Sequence, residues 1–343
     1  RTVGIWERPT EKFLKKLDEA TGITSPREHG VDVVEAIKKM QRGEVDLFFC
    51  MGGNFISATP DTEATAEGLR KVKLTVQVST KLNRSHLVTG QTALILPCLG
   101  RTETDLQESG PQFVTVENSM GVVHTSQGSL KPASEHLKSE PWIVSQLAHV
   151  VLNDGRDWPH LASNYDHIRE LMSRALHGFD NYNERVRAPN GFCLPNPPRD
   201  SRSFATADGK AHFITHPLPD LKIPEDRYVM ITIRSHDQYN TTIYDLHDRY
   251  RGLHGNRRIV LMNPDDIKAR GWQAQEYVDI VSYYKNEERR AEKWQLVAYT
   301  IPRGNIATYF PEANVLVPLN STAEKSNTPT SKWIVCSLEP HAI

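Results

Sequence analysis

The chain has 343 residues, of which 38% are hydrophobic and 24% charged, and this is enough for about two domains with buried cores. Its 41 basic and 42 acidic side chains nearly cancel, so a general nucleic-acid-binding surface is not expected. No run of about 18 apolar residues occurs, so no membrane-spanning helix is expected either.

The first third of the chain alternates between helical and strand patterns. The patterns predict helices over 11–21 and 31–41, and strands over 45–51, 74–78 and 93–97. A further helix is predicted to run to about Val72, with Thr59 as its N-cap and Pro60 in its first turn. Strands that alternate with helices in this way are typical of an open parallel sheet.

The middle of the chain has a more mixed pattern. A hairpin is predicted from 112–117 and 121–124. Helices are predicted over 139–152 and 158–177, and Gly178 is predicted to end the second of them. Residues 186–224 are rich in Pro and Gly, and we place a domain boundary near residue 220.

The last 120 residues or so are predicted to form mainly short strands, with one short helix after Asn263 and Pro264. The predicted strands are 228–234, 258–262, 276–284, 293–301, 306–310, 314–319 and 332–338. Many short strands with few helices favour a β-barrel or a β-sandwich.

The spacing of the cysteines and the identity of residue 1 indicate what kinds of site and of chain to expect. Cys50, Cys98, Cys193 and Cys336 are far apart and show no CxxC or zinc-finger spacing. A cysteine-ligated iron–sulfur cluster or structural zinc within this chain is therefore not expected, and sparse cysteines suit the cytoplasm. Because residue 1 is Arg and no helix-start signal follows it, we expect a piece of a longer or processed protein.

Two neighbouring strand ends carry residues suited to a phosphate or nucleotide. Gly52, Gly53 and Asn54 follow the first predicted strand, and residues 77–85 are rich in Ser, Thr, Lys, Asn and Arg. Ligands bind at the carboxyl ends of such strands, and paired glycines let the backbone approach them. A tight strand-to-helix turn and a solvated polar loop explain the same residues, so this interpretation stays open.

A third polar segment follows the strand at 228–234. Residues 234–242 are wholly polar, which suits either a polar ligand or a surface loop. The nearby His236, His247 and His254 match no metal-binding signature, and a solvated loop rich in His and Asp explains them better. No GxSxG, Walker A or SxxK motif is present.

These segments resemble molybdopterin-guanine-dinucleotide oxidoreductases. Residues 48–55, 76–81 and 93–97 are similar to the Met-Gly-x-Asn turn, Thr-Lys pair and Ile-Leu-Pro run of the family's third domain. In the last third, the similar segments are 231–234 with 239–240, 262–271, 314–317, 327–329 and Lys332. Residues 77–100 and 118–124 are especially similar to the formate-dehydrogenase-like branch of FdhF/YdeP type.

The resemblance implies an architecture of two domains, α/β plus β. Residues 1–220 would form a doubly wound α/β domain like domain three of formate dehydrogenase. Residues 221–343 would form a six-stranded β-barrel of the aspartate-decarboxylase-like, double-psi type. The complete enzymes hold bis-molybdopterin guanine dinucleotide with molybdenum or tungsten between such domains.

The resemblance also implies which residues contact the cofactor. They are glycines and polar residues at or beside strand ends: Gly52, Gly53, Asn54, Gln77, Thr80, Lys81, Arg234, Ser235, Gln238, Asn240, Asn314, Asn327 and Lys332. The glycines would let the backbone approach the nucleotide, and Lys81 would neutralise pyrophosphate. No catalytic or metal-ligating residue is assigned, because the family's metal-ligand and iron–sulfur regions are not in this chain.

The implied function is the cofactor-binding C-terminal part of a cytoplasmic, formate-dehydrogenase-like oxidoreductase. Its substrate would be a small molecule such as formate, its partner an electron-transfer protein, and neither nucleic acid nor a membrane would be bound. The fragment alone is expected to be inactive. Two other interpretations remain: a nucleotide-binding module without redox activity, and a structural subunit that has lost the cofactor.

Overall fold

The computed structural model describes residues 8–218, 222–241, 243 and 245–342. By its contacts the chain divides into two compact units. The first unit comprises Arg1–Gly30 and Pro97–Leu218, and the second comprises Val31–Leu96 and Pro219–Ile343. The domain boundary predicted near residue 220 falls at 219–221, outside the described residues, and stays a prediction.

Most helices and strands lie where the sequence patterns predict them. The α-helices are α1 (Glu11–Thr21), α2 (Val33–Gln41), α3 (Phe55–Ala58), α4 (Thr62–Lys71), α5 (Glu140–Leu152), α6 (Trp158–Ser163), α7 (Tyr165–Ala175), α8 (Tyr182–Arg187), α9 (Pro197–Ser201) and α10 (Pro264–Ala269). The strands are β1 (Leu47–Met51), β2 (Leu74–Ser79), β3 (Thr92–Pro97), β4 (Asp105–Gln107), β5 (Gly110–Gln112), β6 (Val114–Glu117), β7 (Val122–Ser126), β8 (Phe192–Cys193), β9 (Tyr228–Ile233), β10 (Ile259–Met262), β11 (Tyr277–Tyr284), β12 (Glu287–Ala298), β13 (Asn305–Tyr309) and β14 (Ile334–Pro340). None of the helices in the described ranges is long and apolar enough to cross a membrane.

The α/β part of the second unit is a three-stranded sheet in the order β1-β2-β3, and β1 runs parallel to β2. Helix α2 begins at its N-cap Asp32 and buries Val34, Ile37 and Met40, which confirms the predicted helical spacing. Helix α4 packs closely on α2, because Gly68 has no side chain: a Cβ there would lie 3.1 Å from the Cβ of Met40.

Helix α4 begins later than predicted. Its N-cap is Asp61, whose carboxylate accepts a hydrogen bond from the N–H of Ala64, so the predicted N-cap at Thr59 is wrong by two residues. The Thr59 hydroxyl instead donates to the carbonyl of Phe55 in α3, at 2.9 Å. The carboxylate of Asp61, rather than the hydroxyl of Thr59, therefore accepts the hydrogen bond from the N–H group in the first turn of α4.

The other part of the second unit is a closed six-stranded barrel in the order β10-β12-β11-β14-β9-β13, which confirms the predicted barrel. Alternate residues face its core, as the two-residue period of a strand requires, except in β12, where the core residues Ala291 and Trp294 are three positions apart because the pairing with β11 shifts register. The core residues include Tyr228, Met230, Val260, Met262, Val278, Ile280, Trp294, Leu296, Ile306, Ile334, Cys336 and Leu338.

Two predictions for the barrel sequence need correction. The segment 314–319 is not a strand: Glu312–Leu316 forms a 3-10 helix that buries Ala313 and Leu316. A short apolar run does not distinguish a strand from a buried helical turn, and this run has Pro311 before it and Pro318 after it. The strand predicted at 293–301 is the end of β12, which starts at Glu287 and stops at Ala298.

The first unit contains helices and small sheets. The predicted hairpin is confirmed as β6 and β7, and the Asn118 side chain accepts hydrogen bonds from the N–H groups of Met120 and Val122 in its turn. The single helix predicted over 158–177 is wrong, because Asn164 is extended and caps a new helix, α7. Helix α7 ends at Ala175, with Leu176 as its C-cap, so Gly178 does not end it. The Pro-rich stretch after residue 186 contains β8 and α9, which the sequence did not predict.

Candidate functional site

A cleft opens at the carboxyl ends of β1 and β2. The two strands are parallel and Met51 lies opposite Val78, so the loops that follow them start side by side. The cleft is lined by these two loops and by the loop after β9, through Gly52, Gly53, Ser79, Thr80, Lys81, Asn83 and Thr241. The structure thus brings together four residues predicted to bind a cofactor: Gly52, Gly53, Thr80 and Lys81.

The paired glycines form a turn with an accessible backbone. Gly52 has a φ of 66° and Gly53 a φ of 75°, a region that favours glycine. The N–H of Gly52 donates to the carbonyl of Val78 at 2.7 Å, and the Asn83 amide donates to the carbonyl of Gly53 at 2.8 Å. A Cβ built on Gly53 would meet no atom within 4 Å, so a ligand has room to approach the main chain there.

The second loop supplies polar groups that the protein itself leaves unused. Ser79 is buried, whereas Thr80 and Lys81 are exposed. Within the part of the chain that the structure describes, none of these three side chains has a hydrogen-bond or ion-pair partner. The cleft lining contains no carboxylate among the described residues. Two hydroxyl groups and a positive charge are therefore available to an anionic ligand.

Asn54 and Gln77 lie beside the cleft but make internal contacts. Both are buried, and both reach Ser85 in the 3-10 helix Arg84–Leu87. The hydroxyl of Ser85 donates to Asn54 Oδ1 at 3.1 Å, and Gln77 Nε2 donates to the Ser85 carbonyl at 2.6 Å. These bonds hold the two strand-end loops together. A direct ligand contact for Asn54 or Gln77 stays a prediction.

Asn314 and Asn327 connect the barrel to the α/β part of the same unit. The buried amide of Asn314 donates to the carbonyl of Ser57 at 2.7 Å. Asn327 donates to the carboxylate of Asp32, and this hydrogen bond is the largest cause that holds the pKa of Asp32 below its ordinary value. Both side chains therefore act inside the protein, and their predicted contact with a cofactor is untested.

Asp61 also connects the α/β part of the second unit to the barrel. Its Oδ2 accepts a hydrogen bond from Arg289 in β12 at 2.5 Å and another from the N–H of Leu319 at 3.1 Å. The N–H of Asp61 in turn donates to the carbonyl of Asn314. The loop before α4 is thus fixed to the barrel by a buried carboxylate.

Two cations lie together at the end of β9. Lys332 donates a hydrogen bond to the carbonyl of Thr232, and Arg234 donates to Asn240 Oδ1 at 2.7 Å. Burial, and then the positive charge of Arg234, lowers the pKa of Lys332 below its ordinary value. The repulsion between the two side chains would be relieved by an anion bound beside them.

Ser235 and Gln238 belong to a buried network around Arg257. Gln238 Oε1 accepts from Arg257 at 3.1 Å and from the N–H of Ser235 at 3.0 Å, and its Nε2 donates to the carbonyl of Phe310. Arg257 also forms an ion pair with Glu312 at 2.7 Å. Both the oxygen and the nitrogen of the Gln238 amide form hydrogen bonds within the protein, so Gln238 holds the loop after β9 in place. A direct ligand contact for Ser235 or Gln238 stays a prediction.

The segment rich in His and Asp is not wholly solvated, contrary to the sequence-based interpretation. Asp248 is buried and accepts hydrogen bonds from Tyr309 Oη at 2.7 Å and from Arg251 Nη1 at 2.6 Å. His236 Nδ1 lies 3.2 Å from Asp248 Oδ1. Burial opposes ionisation of Asp248, but the hydrogen bonds from Tyr309 and Arg251 outweigh it and hold the pKa of Asp248 well below its usual range. Neither Asp248 nor Arg257 was assigned a role from the sequence.

No metal centre is found in the described ranges. There, no group of three or more His, Cys, Asp or Glu side chains is arranged to hold a metal ion. All four cysteines are free thiols, and Cys336 lies in the barrel core. Burial raises the pKa of Cys336 to about 12.

Comparison with known proteins identifies relatives along the whole chain. Residues 228–335 match the model of the Molydopterin dinucleotide binding domain. The entire chain is 53% identical to an uncharacterized oxidoreductase of Mycobacterium tuberculosis and covers 45% of that protein. It is 42% identical, over 99% of its length, to the protein YdeP of Escherichia coli, of which it covers 46%. The chain therefore spans about half the length of the curated relatives it matches.

Two further similarities are more distant. A nitrate reductase of Shewanella frigidimarina is 22% identical over 69% of this chain and 26% of its own length. The solved structure of acetylene hydratase from Pelobacter acetylenicus superposes with a TM-score of 0.62 at 14% identity, covering 97% of this chain and 50% of that one, which shows a shared fold. Together, the matches confirm the predicted resemblance to the C-terminal part of a molybdopterin oxidoreductase.

Proposed function

We propose that this chain binds bis-molybdopterin guanine dinucleotide, carrying molybdenum or tungsten, as the C-terminal part of a formate-dehydrogenase-like oxidoreductase. One observation carries the proposal. The glycine turn after β1 and the Thr80-Lys81 pair after β2 meet Thr241 in one cleft. Thr241 extends from the same unit's barrel, which matches a molybdopterin dinucleotide binding domain.

The residues of the cleft fit the anionic part of such a cofactor. The open space beside Gly53 lets a phosphate approach the main chain, and the hydroxyls of Ser79 and Thr80 are free to donate hydrogen bonds to it. Lys81 supplies a positive charge that no carboxylate of the described cleft lining neutralises. We assign pyrophosphate contact to Thr80 and Lys81, and nucleoside contact to the turn at Gly52 and Gly53.

A second contact is proposed at the end of β9. Arg234 and Lys332 place two positive charges close together there. After burial, the charge of Arg234 is the second cause of the lowered pKa of Lys332. An anionic cofactor group bound beside them would raise the pKa of Lys332 again. Asn240 is held against Arg234 and would orient it, while the networks of Gln238 and Asn314 keep the surrounding loops in place.

The chemistry would belong to the cofactor and the remainder of the protein. The bound metal would supply two-electron oxidation or reduction of a small substrate such as formate. We place the metal-ligating residue and an iron–sulfur cluster in the half of the protein outside this chain, and we expect a cytoplasmic enzyme with an electron-transfer partner. The chain itself would hold and orient the cofactor and would be inactive alone. We assign its α/β part to the doubly wound type and its barrel to the double-psi type.

The test uses the full-length protein made in a host that synthesises the cofactor. Elemental analysis and release of nucleotides should find about one molybdenum or tungsten and about two guanine nucleotides per chain. Lys81→Gln should speed the loss of nucleotide at least about tenfold, because one charge-assisted hydrogen bond contributes roughly 1.5–3 kcal/mol. Lys73→Gln is the matched control, since Lys73 is exposed at the opposite end of the same strand.

Three outcomes would count against the proposal. Absence of metal and nucleotide would favour the structural interpretation. Bound nucleotide without metal would favour the plain nucleotide-binding module. Equal nucleotide loss from the Lys81 and Lys73 variants would show that this cleft is not the phosphate site.

A further inference from the structure

The side chain of His236 is held at one ring nitrogen and free at the other. Its Nδ1 lies 3.2 Å from Oδ1 of the buried Asp248, and its ring rests against Tyr250, with 4.4 Å between ring centroids. The imidazole is nevertheless 46% exposed. Among the residues that the structure describes, Nε2 has no hydrogen-bond partner. The side chain is therefore fixed in place and presents Nε2 at the surface.

The surroundings of Nδ1 select one tautomer of the ring. Arg251 Nη1 also lies 3.2 Å from Nδ1, but it makes a shorter hydrogen bond of 2.6 Å to Asp248 Oδ2. Because the ionised carboxylate of Asp248 can only accept hydrogen bonds, the contact with its Oδ1 requires Nδ1 to carry a hydrogen and donate it. A neutral ring protonated at Nδ1 has its lone pair on Nε2. His236 therefore presents a hydrogen-bond acceptor.

His236 belongs to the same loop as residues assigned to the cofactor, and Arg251 Nη1 contacts both His236 Nδ1 and the carbonyl of Arg234. His236 lies in the loop that begins with Arg234 and reaches the cleft at Thr241. Described residues of that loop are bonded to the barrel, because Asp248 accepts a hydrogen bond from Tyr309 in β13, and Ser235, next to His236, accepts one from the buried Arg257. An ordinary surface histidine does not need a buried carboxylate to fix its ring, so the arrangement suits a ligand that must meet Nε2 in one orientation.

We propose that His236 Nε2 accepts a hydrogen bond from an N–H or O–H group of the bound dinucleotide cofactor, and that Asp248 is the positioning residue that selects the required tautomer. This inference rests on the proposed function and extends it to a residue not assigned by the sequence. The positive charges of Arg234 and Lys332 attract the phosphates, whereas His236 recognises a hydrogen-bond donor on the cofactor.

The decisive variant is His236→Asn in the full-length protein. The Asn amide N–H takes the place of Nδ1–H and preserves the bond to Asp248, but nothing replaces Nε2. We expect an unchanged melting temperature and about tenfold faster loss of guanine nucleotide. His247→Asn is the control, since His247 is an exposed histidine of the same loop that contacts His254 instead.

A second measurement does not depend on the cofactor. Nitrogen-15 NMR of the histidine rings, assigned with the His236→Asn variant, should show Nδ1 of His236 protonated at pH 8. An unprotonated Nδ1, or a loaded parent whose nucleotide loss equals that of His236→Asn, would overturn the inference alone. A parent protein without cofactor would overturn the proposed function as well.

Discussion

Replacement of Gly53 by alanine separates the folding role of the glycine turn from its role in the cleft. Gly53 has a φ of 75°, which costs a residue with a side chain about 1–2 kcal/mol. No atom lies within 4 Å of the added Cβ, so no further clash is expected. Gly53→Ala should therefore lower the melting temperature by only about 2–4 °C per kcal/mol of strain.

The effect on ligand binding should be larger than the effect on folding. The new methyl group projects into the space through which a phosphate would approach the main chain, so we expect guanine nucleotide to be lost at least about tenfold faster. Gly43→Ala is a matched control in the same unit: Gly43 has a φ of 72°, and its Cβ would also meet nothing within 4 Å, but it follows α2 and is not part of the cleft lining.

The assay is a thermal melt and a nucleotide-release time course on the parent and both variants in the full-length protein. We expect similar melting temperatures for the two variants and faster release from Gly53→Ala alone. Equal release from the two variants would refute the reasoning, because it would show that space beside Gly53 is not needed for the cofactor. A much lower melting temperature for Gly53→Ala than for Gly43→Ala would show that the turn is not as open as described.

Two further predictions concern stability. Gly90→Ala should lower the free energy of unfolding by about 1–3 kcal/mol, because its Cβ would lie 2.3 Å from the carbonyl oxygen of Val72; a urea denaturation midpoint equal to that of the parent would contradict this. Burial opposes ionisation of Asp279, yet hydrogen bonds from the N–H of Lys293, His341 and Arg290 hold its pKa below the ordinary value. A depressed carboxyl pKa contributes stability that is present above the unfolded-state value of about 3.9 and is lost as pH falls toward the folded-state value. The parent should therefore lose more of its melting temperature than Asp279→Asn between pH 6 and pH 3, and parallel curves would exclude this contribution.

Much of the fold could be predicted because its elements carry strong periodicity or strong end signals. The spacing of Val34, Ile37 and Met40 predicts α2, and Asn263 followed by Pro264 predicts the start of α10. Errors arose where a local side chain changes the backbone path. Asn164 ends one helix and caps the next, although the apolar pattern runs through it without interruption.

The candidate site was partly predictable for a geometric reason. The ends of parallel strands meet at one edge of a sheet, so the positions of Gly53 and Lys81 just after two such strands predict that they lie together. Thr241 could not be assigned to the same cleft, because its approach depends on how the barrel loop folds back. The buried roles of Ser85, Arg257 and Asp248 were also missed, since a polar residue in a loop gives no sign of its burial.

The second unit is built from parts of the chain that are far apart in sequence, and this has a consequence for the order of folding. Asn314 donates a hydrogen bond to Ser57 in helix α3, and these two residues are separated by 257 positions; Asp61 and Arg289 are separated by 228. Pairings of such high contact order form late and slowly. The ribosome must therefore deliver the chain at least as far as Asn314 before both of these bonds beside the cleft can form. Until then the glycine turn at Gly53 lacks the support that the barrel gives to the neighbouring loops.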